Sequence, residues 1–180
     1  MLFGRKKTEH NDSQRVAEET ASVRPARPDV IRRILVVMDS SSRAAECGAY
    51  AVKLAAALNS ELLAVYVVDV PSMDYLVRLN YFSAAERMTQ EQEMSARGER
   101  VLQQLEEEAL LHGVSFQSFC LRGSRWQLVL QTAREQRADM IVLKDSKDIA
   151  TRKDHSAVDR LLLMDHAECP VLVCNGTIGL

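Results

Sequence analysis

The chain lacks any apolar run approaching the roughly 20 residues that a bilayer-spanning helix needs. Its start also lacks the apolar core of a secretory signal, because Arg5, Lys6 and Lys7 follow Met1 to Gly4 at once. A cytoplasmic location is therefore expected. The four cysteines, Cys47, Cys120, Cys169 and Cys174, form no C-x-x-C pair, so neither a zinc site nor a dithiol motif is indicated. They are expected to stay reduced and to serve as small hydrophobic side chains in core elements. No clustered ligand spacing points to a metal. No G-x-S-x-G elbow precedes a helix, so His155 and His166 are read as surface or helix-end residues and not as members of a triad. A net charge of -2 leaves no basic excess for nucleic acid. These absences remove catalysis, metal chemistry and nucleic-acid partners from the expectation.

What is present is a chain of 180 residues, 47% of them hydrophobic, enough for one well-buried core and too short for two ordinary domains. Residues 1–29 are rich in Glu, Arg, Ser, Thr and Lys with few large apolar side chains, and are expected as a disordered tail. Met1-Leu2-Phe3 with three cations is one weak anchoring signal, so membrane contact is not expected. Residues 30–176 read as an α/β domain and 177–180 as a short C-terminal tail.

The organising stretch is Arg33 to Ser42. Ile34-Leu-Val-Val37 is a continuous, β-branched apolar run, as expected of a central strand buried on both faces of a parallel sheet. Asp39 then falls at the carboxyl end of that strand, just before a helix, at the edge where open α/β sheets bind ligands. Ser41 or Ser42 is a natural N-cap for a helix running to Leu58, where Asn59 ends it. Leu62 to Val68 is a second buried strand, making a right-handed βαβ unit. Asp69 to Phe82, with Pro71 as a breaker and no clean period, reads as a loop with one helical turn.

Ser83-Ala-Ala-Glu86 has capping-box spacing and opens a long helix ending before Gly113, with a bend near Gly98 or an overhanging first half. Val114 to Leu121 is a third strand, and Ser124 caps a helix from Arg125 to Arg137 that places Trp126, Val129, Leu130 and Ala133 on one face. Met140 to Leu143 is a fourth strand, followed by an almost wholly polar segment. A short helix opening near Ser156-Ala-Val-Asp159 comes next, and Val171-Leu-Val-Cys174 is a fifth strand. The sum is a single open five-stranded parallel sheet with helices on both faces.

Five segments together resemble the universal stress protein family: Ile34 to Ser41, Leu62 to Asp69, Gly123, Ala138-Asp-Met-Ile-Val142, and His166-Ala-Glu-Cys-Pro-Val-Leu-Val173. They span residues 33–174 in the family's order. The resemblance implies that Asp39 and Val67 occupy positions lining a nucleotide pocket. It also implies a loop after the fourth strand with a glycine, G-x-x-G, about nine residues and G-Ser or G-Thr, because glycine lets backbone N–H groups close around phosphate. Here the loop from Lys144 to Val158 contains no glycine, and Asp145, Asp148 and Asp154 oppose phosphate. The chain thus resembles the family branch without tight ATP binding, and no cofactor is expected. The alternative is an ATP sensor in which Asp39, Val67, Lys144 and Lys147 hold the nucleotide, cationic side chains replacing the glycine cradle. Asp39 read without a ligand simply caps the next helix or accepts from the serines. The resemblance further implies a homodimer paired through Val171, Leu172, Val173 and Cys174, which would protect an apolar edge strand. The expectation is a dimeric regulatory or stress-response module that acts through contacts with an unidentified protein partner.

Overall fold

The computed structural model describes residues 31–81, 83–145 and 155–175, and the side chains of the last span from residue 161 onward. The expected tail 1–29, Lys147 with the polar loop around it, and the C-terminal residues from 176 lie outside the described residues. The strands are β1 (Arg33–Met38), β2 (Glu61–Asp69), β3 (Phe116–Gly123), β4 (Met140–Lys144) and β5 (Val171–Cys174). They form one sheet in the order β3-β2-β1-β4-β5, parallel throughout. The helices are α1 (Ser42–Leu58), α2 (Val70–Arg78), α3 (Ala84–Leu111), α4 (Arg125–Glu135) and α5 (His155–His166).

Strand β1 is central because its run has no polar face to offer water. Ile34, Leu35 and Val36 are fully buried. Even-numbered β1 residues Ile34, Val36 and Met38 pack with Cys47, Ala51 and Ala55 of α1 and with Leu102, Leu105 and Ala109 of α3. Leu35 meets the other layer, where Val129, Leu130 and Ala133 of α4 and Leu163 of α5 cover the sheet. Each large aliphatic side chain buried this way contributes about 1.5–3 kcal/mol, an upper figure because the unfolded chain also hides some surface. At the amino edge Asp139 fixes the β1–β4 register: its Oδ2 accepts from the backbone N–H groups of Arg32 and Arg33 at 2.8 and 3.0 Å.

Helix α1 begins and ends where its sequence predicts. The Ser41 hydroxyl accepts from the Ala44 N–H at 3.2 Å, and Asn59 takes the left-handed conformation at φ 56°. The segment after β2 departs from expectation: Val70–Arg78 is a nine-residue helix, not a loop with one turn. Asp69 caps it through the Ser72 N–H (3.3 Å) and Ser72 hydroxyl (2.6 Å). Pro71 stands in its first turn, where no intrahelical N–H bond is required.

Helix α3 opens with the predicted capping box, Ser83 Oγ accepting from Glu86 N–H and Glu86 Oε2 accepting from Ser83 N–H. It is one helix of 28 residues, about 42 Å long. Gly98 serves a close approach: a Cβ there would lie 2.4 Å from a ring carbon of Tyr66 on β2. Buried positions of α3 start at Ser95, and the turns before it overhang. Arg87 ties that overhang to α2 through Asp74 at 2.6 Å, while Glu91 reaches Arg122 of β3 at 3.3 Å. Strand β3 starts at Phe116, later than predicted, because buried Val114 still belongs to the helix exit, its N–H bonded to Ala109 O at 2.9 Å. The cysteines are free, but only Cys47 is a core residue; Cys120, Cys169 and Cys174 are half-buried.

Candidate functional site

In a parallel sheet all strands deliver their carboxyl ends to one rim, and the strand order reverses between β1 and β4. That reversal opens the crevice in which such folds place ligands. Asp39 emerges from β1 there and Lys144 from β4. Lys144 Nζ lies 2.7 Å from Asp39 Oδ2 and donates to Ser41 Oγ at 2.8 Å. Asp39 Oδ1 accepts from the Ser41 N–H at 2.8 Å. Each member holds the other two, and Ser41 is at the same time the cap of α1. About a quarter of each charged side chain remains exposed, 23% for Lys144 and 27% for Asp39.

Burial pushes the Asp39 carboxyl up, yet the hydrogen bonds from Lys144 and Ser41 and the lysine charge outweigh it, leaving Asp39 below its ordinary value. An ammonium bound to a carboxylate is not a base, so the Ser41 hydroxyl beside it is not an activated nucleophile. The cluster supplies charge and hydrogen-bonding groups. Beside it, between the start of α1 and α3, lies a recess of about 360 Å³ that Asp39, Ser41, Ser42, Gln104 and Glu108 line. Its two carboxylates disfavour phosphate.

Of the residues predicted to hold a nucleotide, Asp39 and Lys144 are brought into direct contact. Val67 lies on β2 one residue past the Met38–Tyr66 pair, level with Asp39. Its side chain is buried in the α4 layer, so only its backbone could face a ligand. Lys147 lies outside the described residues. Val171, Leu172, Val173 and Cys174 form edge strand β5, all half-buried and paired with β4. Among the described residues no group of three or more His, Cys, Asp or Glu side chains could hold a metal ion, and no helix is long and apolar enough to cross a membrane.

Sequence reasoning missed two features of this rim. The Tyr66 hydroxyl meets Ser40 Oγ at 3.0 Å, tying β2 to the turn after β1. A tyrosine within an aliphatic strand run was the available signal, since a buried phenol must find a partner. Cys47 on α1 is buried in the α1-side core, and Cys174 on β5 packs against the same cluster. They lie on elements far apart in the chain, and no local pattern joins them.

Trp126 and His166 face each other with ring centroids 5.7 Å apart. Trp126 is half-buried against the α4-side core, and His166 ends α5 with Nδ1 donating to the Leu162 carbonyl at 2.8 Å.

Comparison with known proteins agrees with this fold. The chain is 24% identical over 152 residues to universal stress protein MJ0531 of Methanocaldococcus jannaschii, covering 81% of this chain and 82% of that one. Universal stress protein UspA from Lactobacillus plantarum superposes with a TM-score of 0.64 at 21% identity, over 81% of this chain and 98% of that one. The universal stress protein from Archaeoglobus fulgidus in complex with dAMP matches at a TM-score of 0.52 and 17% identity, over 81% and 99%. The model of the universal stress protein family itself matches residues 31–175, from the start of the sheet to its last strand, and on that span the chain belongs to the universal stress protein family.

Proposed function

We propose that this protein is a dimeric regulatory or stress-response module that works through protein contacts, without catalysis and without tight ATP binding. The observation that carries this reading is the Lys144 side chain lying across the β1–β4 crevice, bonded to both Asp39 and Ser41. Two opposite charges that already satisfy each other offer an incoming polyphosphate little, and the segment after Lys144 has no glycine through which backbone could cradle it. Edge strand β5 supports the dimer. Pro170 and Cys174 direct their carbonyls to β4, so Val171 and Val173, at alternate positions, turn their backbone groups to the open edge. An apolar edge of that kind is suited to pairing with a second copy.

Isothermal titration of the nucleotide-stripped, full-length protein with ATP, with and without magnesium, tests the reading. No detectable heat is expected. Binding with a dissociation constant near micromolar, about -8 kcal/mol, would overturn it.

That outcome would favour the second reading, an ATP sensor built on Asp39, Val67, Lys144 and Lys147. Its support is a lysine at the strand end together with the dAMP complex of the Archaeoglobus relative. In the sensor, Lys144 would leave Asp39 to meet phosphate, and Lys144→Ala would weaken binding at least tenfold.

A further inference from the structure

The segment Met1-Leu-Phe-Gly-Arg-Lys-Lys7, an apolar tip followed by three cations, has no part in the function proposed above. A surface that matches it lies at the amino rim of the sheet, opposite Asp39. There helix α3 ends on Leu110 and Leu111, 67% and 86% exposed, the latter the most exposed large apolar side chain among the described residues. Leu58, which ends α1 at the same rim, is also exposed. Glu106 and Glu107 stand four positions before the two leucines, so each leucine has a glutamate one turn back on its own helix face. Both glutamates are exposed, and neither is in an ion pair among the described residues. Carboxylates here meet the negative end of the helix dipole, and the last turn of α3 holds no basic residue to offset them. The helix end is an apolar step beside unneutralised negative charge.

We propose that Met1–Lys7 docks on this surface of its own chain, Leu2 and Phe3 covering Leu110 and Leu111 while Arg5, Lys6 and Lys7 meet Glu106 and Glu107. The place where the chain enters the fold favours this occupant. The Ser60 hydroxyl, just past α1, donates to the Ile31 carbonyl at 2.7 Å, and the Ser115 carbonyl, just past α3, accepts from the Leu62 N–H at 2.8 Å. The entry to β1 and the exits of α1 and α3 therefore share one rim, across two strand spacings or about 10 Å. Ile31 packs against the layer that α3 covers. About 24 residues, Thr8 to Ile31, join the basic run to that point, and a coil of this length averages about 25–30 Å end to end. A tether of that reach holds the segment at roughly millimolar effective concentration, so a contact too weak to capture a free peptide still closes within one chain. The contact removes the leucine pair from water and gives the acidic helix end its counter-charge. It also makes the segment a competitor for any partner that would use the same leucines.

The test uses the full chain, tagged only at its C-terminus. Equal amounts of unlabelled and nitrogen-15-labelled protein are mixed in urea, refolded together and treated with a water-soluble carbodiimide, which joins an amine to a carboxylate in contact with it. Mass spectrometry of the digest should find Lys6 or Lys7 joined to Glu106 or Glu107, both ends carrying the same isotope. Leu110→Ser with Leu111→Ser, at positions outside the core, should lower the yield about tenfold, as should Leu2→Ser with Phe3→Ser. Lys6→Glu with Lys7→Glu should abolish the bond, and adding Glu106→Lys and Glu107→Lys should restore one between the exchanged residues. The proposal is overturned if the bond is absent, if its ends carry mixed isotopes as often as chance gives, or if neither apolar pair changes its yield. In the first case, flotation of the protein on phosphatidylserine vesicles would assign the segment to a membrane instead.

Discussion

Lys144 decides more at this rim than its place in a polar segment suggests. Opposite charges with roughly three-quarters of each side chain buried lie between the exposed pair, worth under about 1 kcal/mol, and the buried pair, whose breaking costs about 3–5 kcal/mol. Lys144→Met is therefore expected to lower stability by about 1–2 kcal/mol in urea titrations. The sign of the pH effect follows from Asp39. Its folded value is depressed below the unfolded one, so its stabilisation is complete above the ordinary carboxylate range and is lost as pH falls through the folded value. Melting of the wild type and Asp39→Asn should differ at pH 7 and converge as pH falls below the ordinary carboxylate range; a constant difference would assign the effect to packing. Gly98 gives the opposite kind of test. Alanine is the better helix former by about 1 kcal/mol, but its Cβ would fall 2.4 Å from the Tyr66 ring. Gly98→Ala should thus destabilise by about 1–3 kcal/mol, and a stabilised variant would mean that the ring moves freely. Asp39 at the sheet edge was legible because it ends an apolar run. Its lysine partner was foreseen only as a phosphate ligand, because the β1–β4 pairing that joins them spans residues far apart in the chain.

At the level of elements, most signals carried by hydrogen bonds within a few residues were legible, although Ser124 opens α4 without the expected side-chain cap bond. Ser41, Asn59 and the Ser83–Glu86 box all cap as their spacing predicts. Helix α2 was not, because its apolar residues lie without clean period and Pro71 reads as a breaker when its place relative to the cap is unknown. Asp69, whose two carboxylate oxygens both engage Ser72, is the residue that makes Pro71 a first-turn residue. Asp69→Ala should cost about 1 kcal/mol, the usual worth of an N-cap. Hydrogen exchange should rise in 70–78 and leave α1 unchanged; protection unaltered in 70–78 would show that the tie between Arg87 and Asp74 holds the helix instead. Gly98 shows a role that spacing alone does not reveal. A glycine in a helical pattern suggests a bend, whereas here the missing side chain makes room for an aromatic ring from the sheet.

For the whole molecule, the succession of five strands along the chain was readable from alternating strand and helix patterns, and the central, buried place of β1 from its composition, whereas the order of the strands across the sheet was not. Assembly was not readable in the same way, since it depends on which face of a short strand stays open. Val173→Pro tests it with little damage to the monomer. The Val173 N–H points away from β4, and proline is tolerated on an edge strand when that group is not used within the sheet. Sedimentation of the wild type as a dimer and of Val173→Pro as a monomer is expected. A dimeric variant would move the interface elsewhere.

The parallel sheet also gives the molecule two unlike poles. Ile31 joins the chain to β1 at the amino rim, while Asp39, Lys144 and Cys174 stand at the carboxyl rim. A strand of six residues separates the poles by about 20 Å. A fluorophore or affinity handle attached near Ile31 therefore starts on the far side of the sheet from the cluster, and labelling there leaves the chemistry of the opposite rim open to measurement.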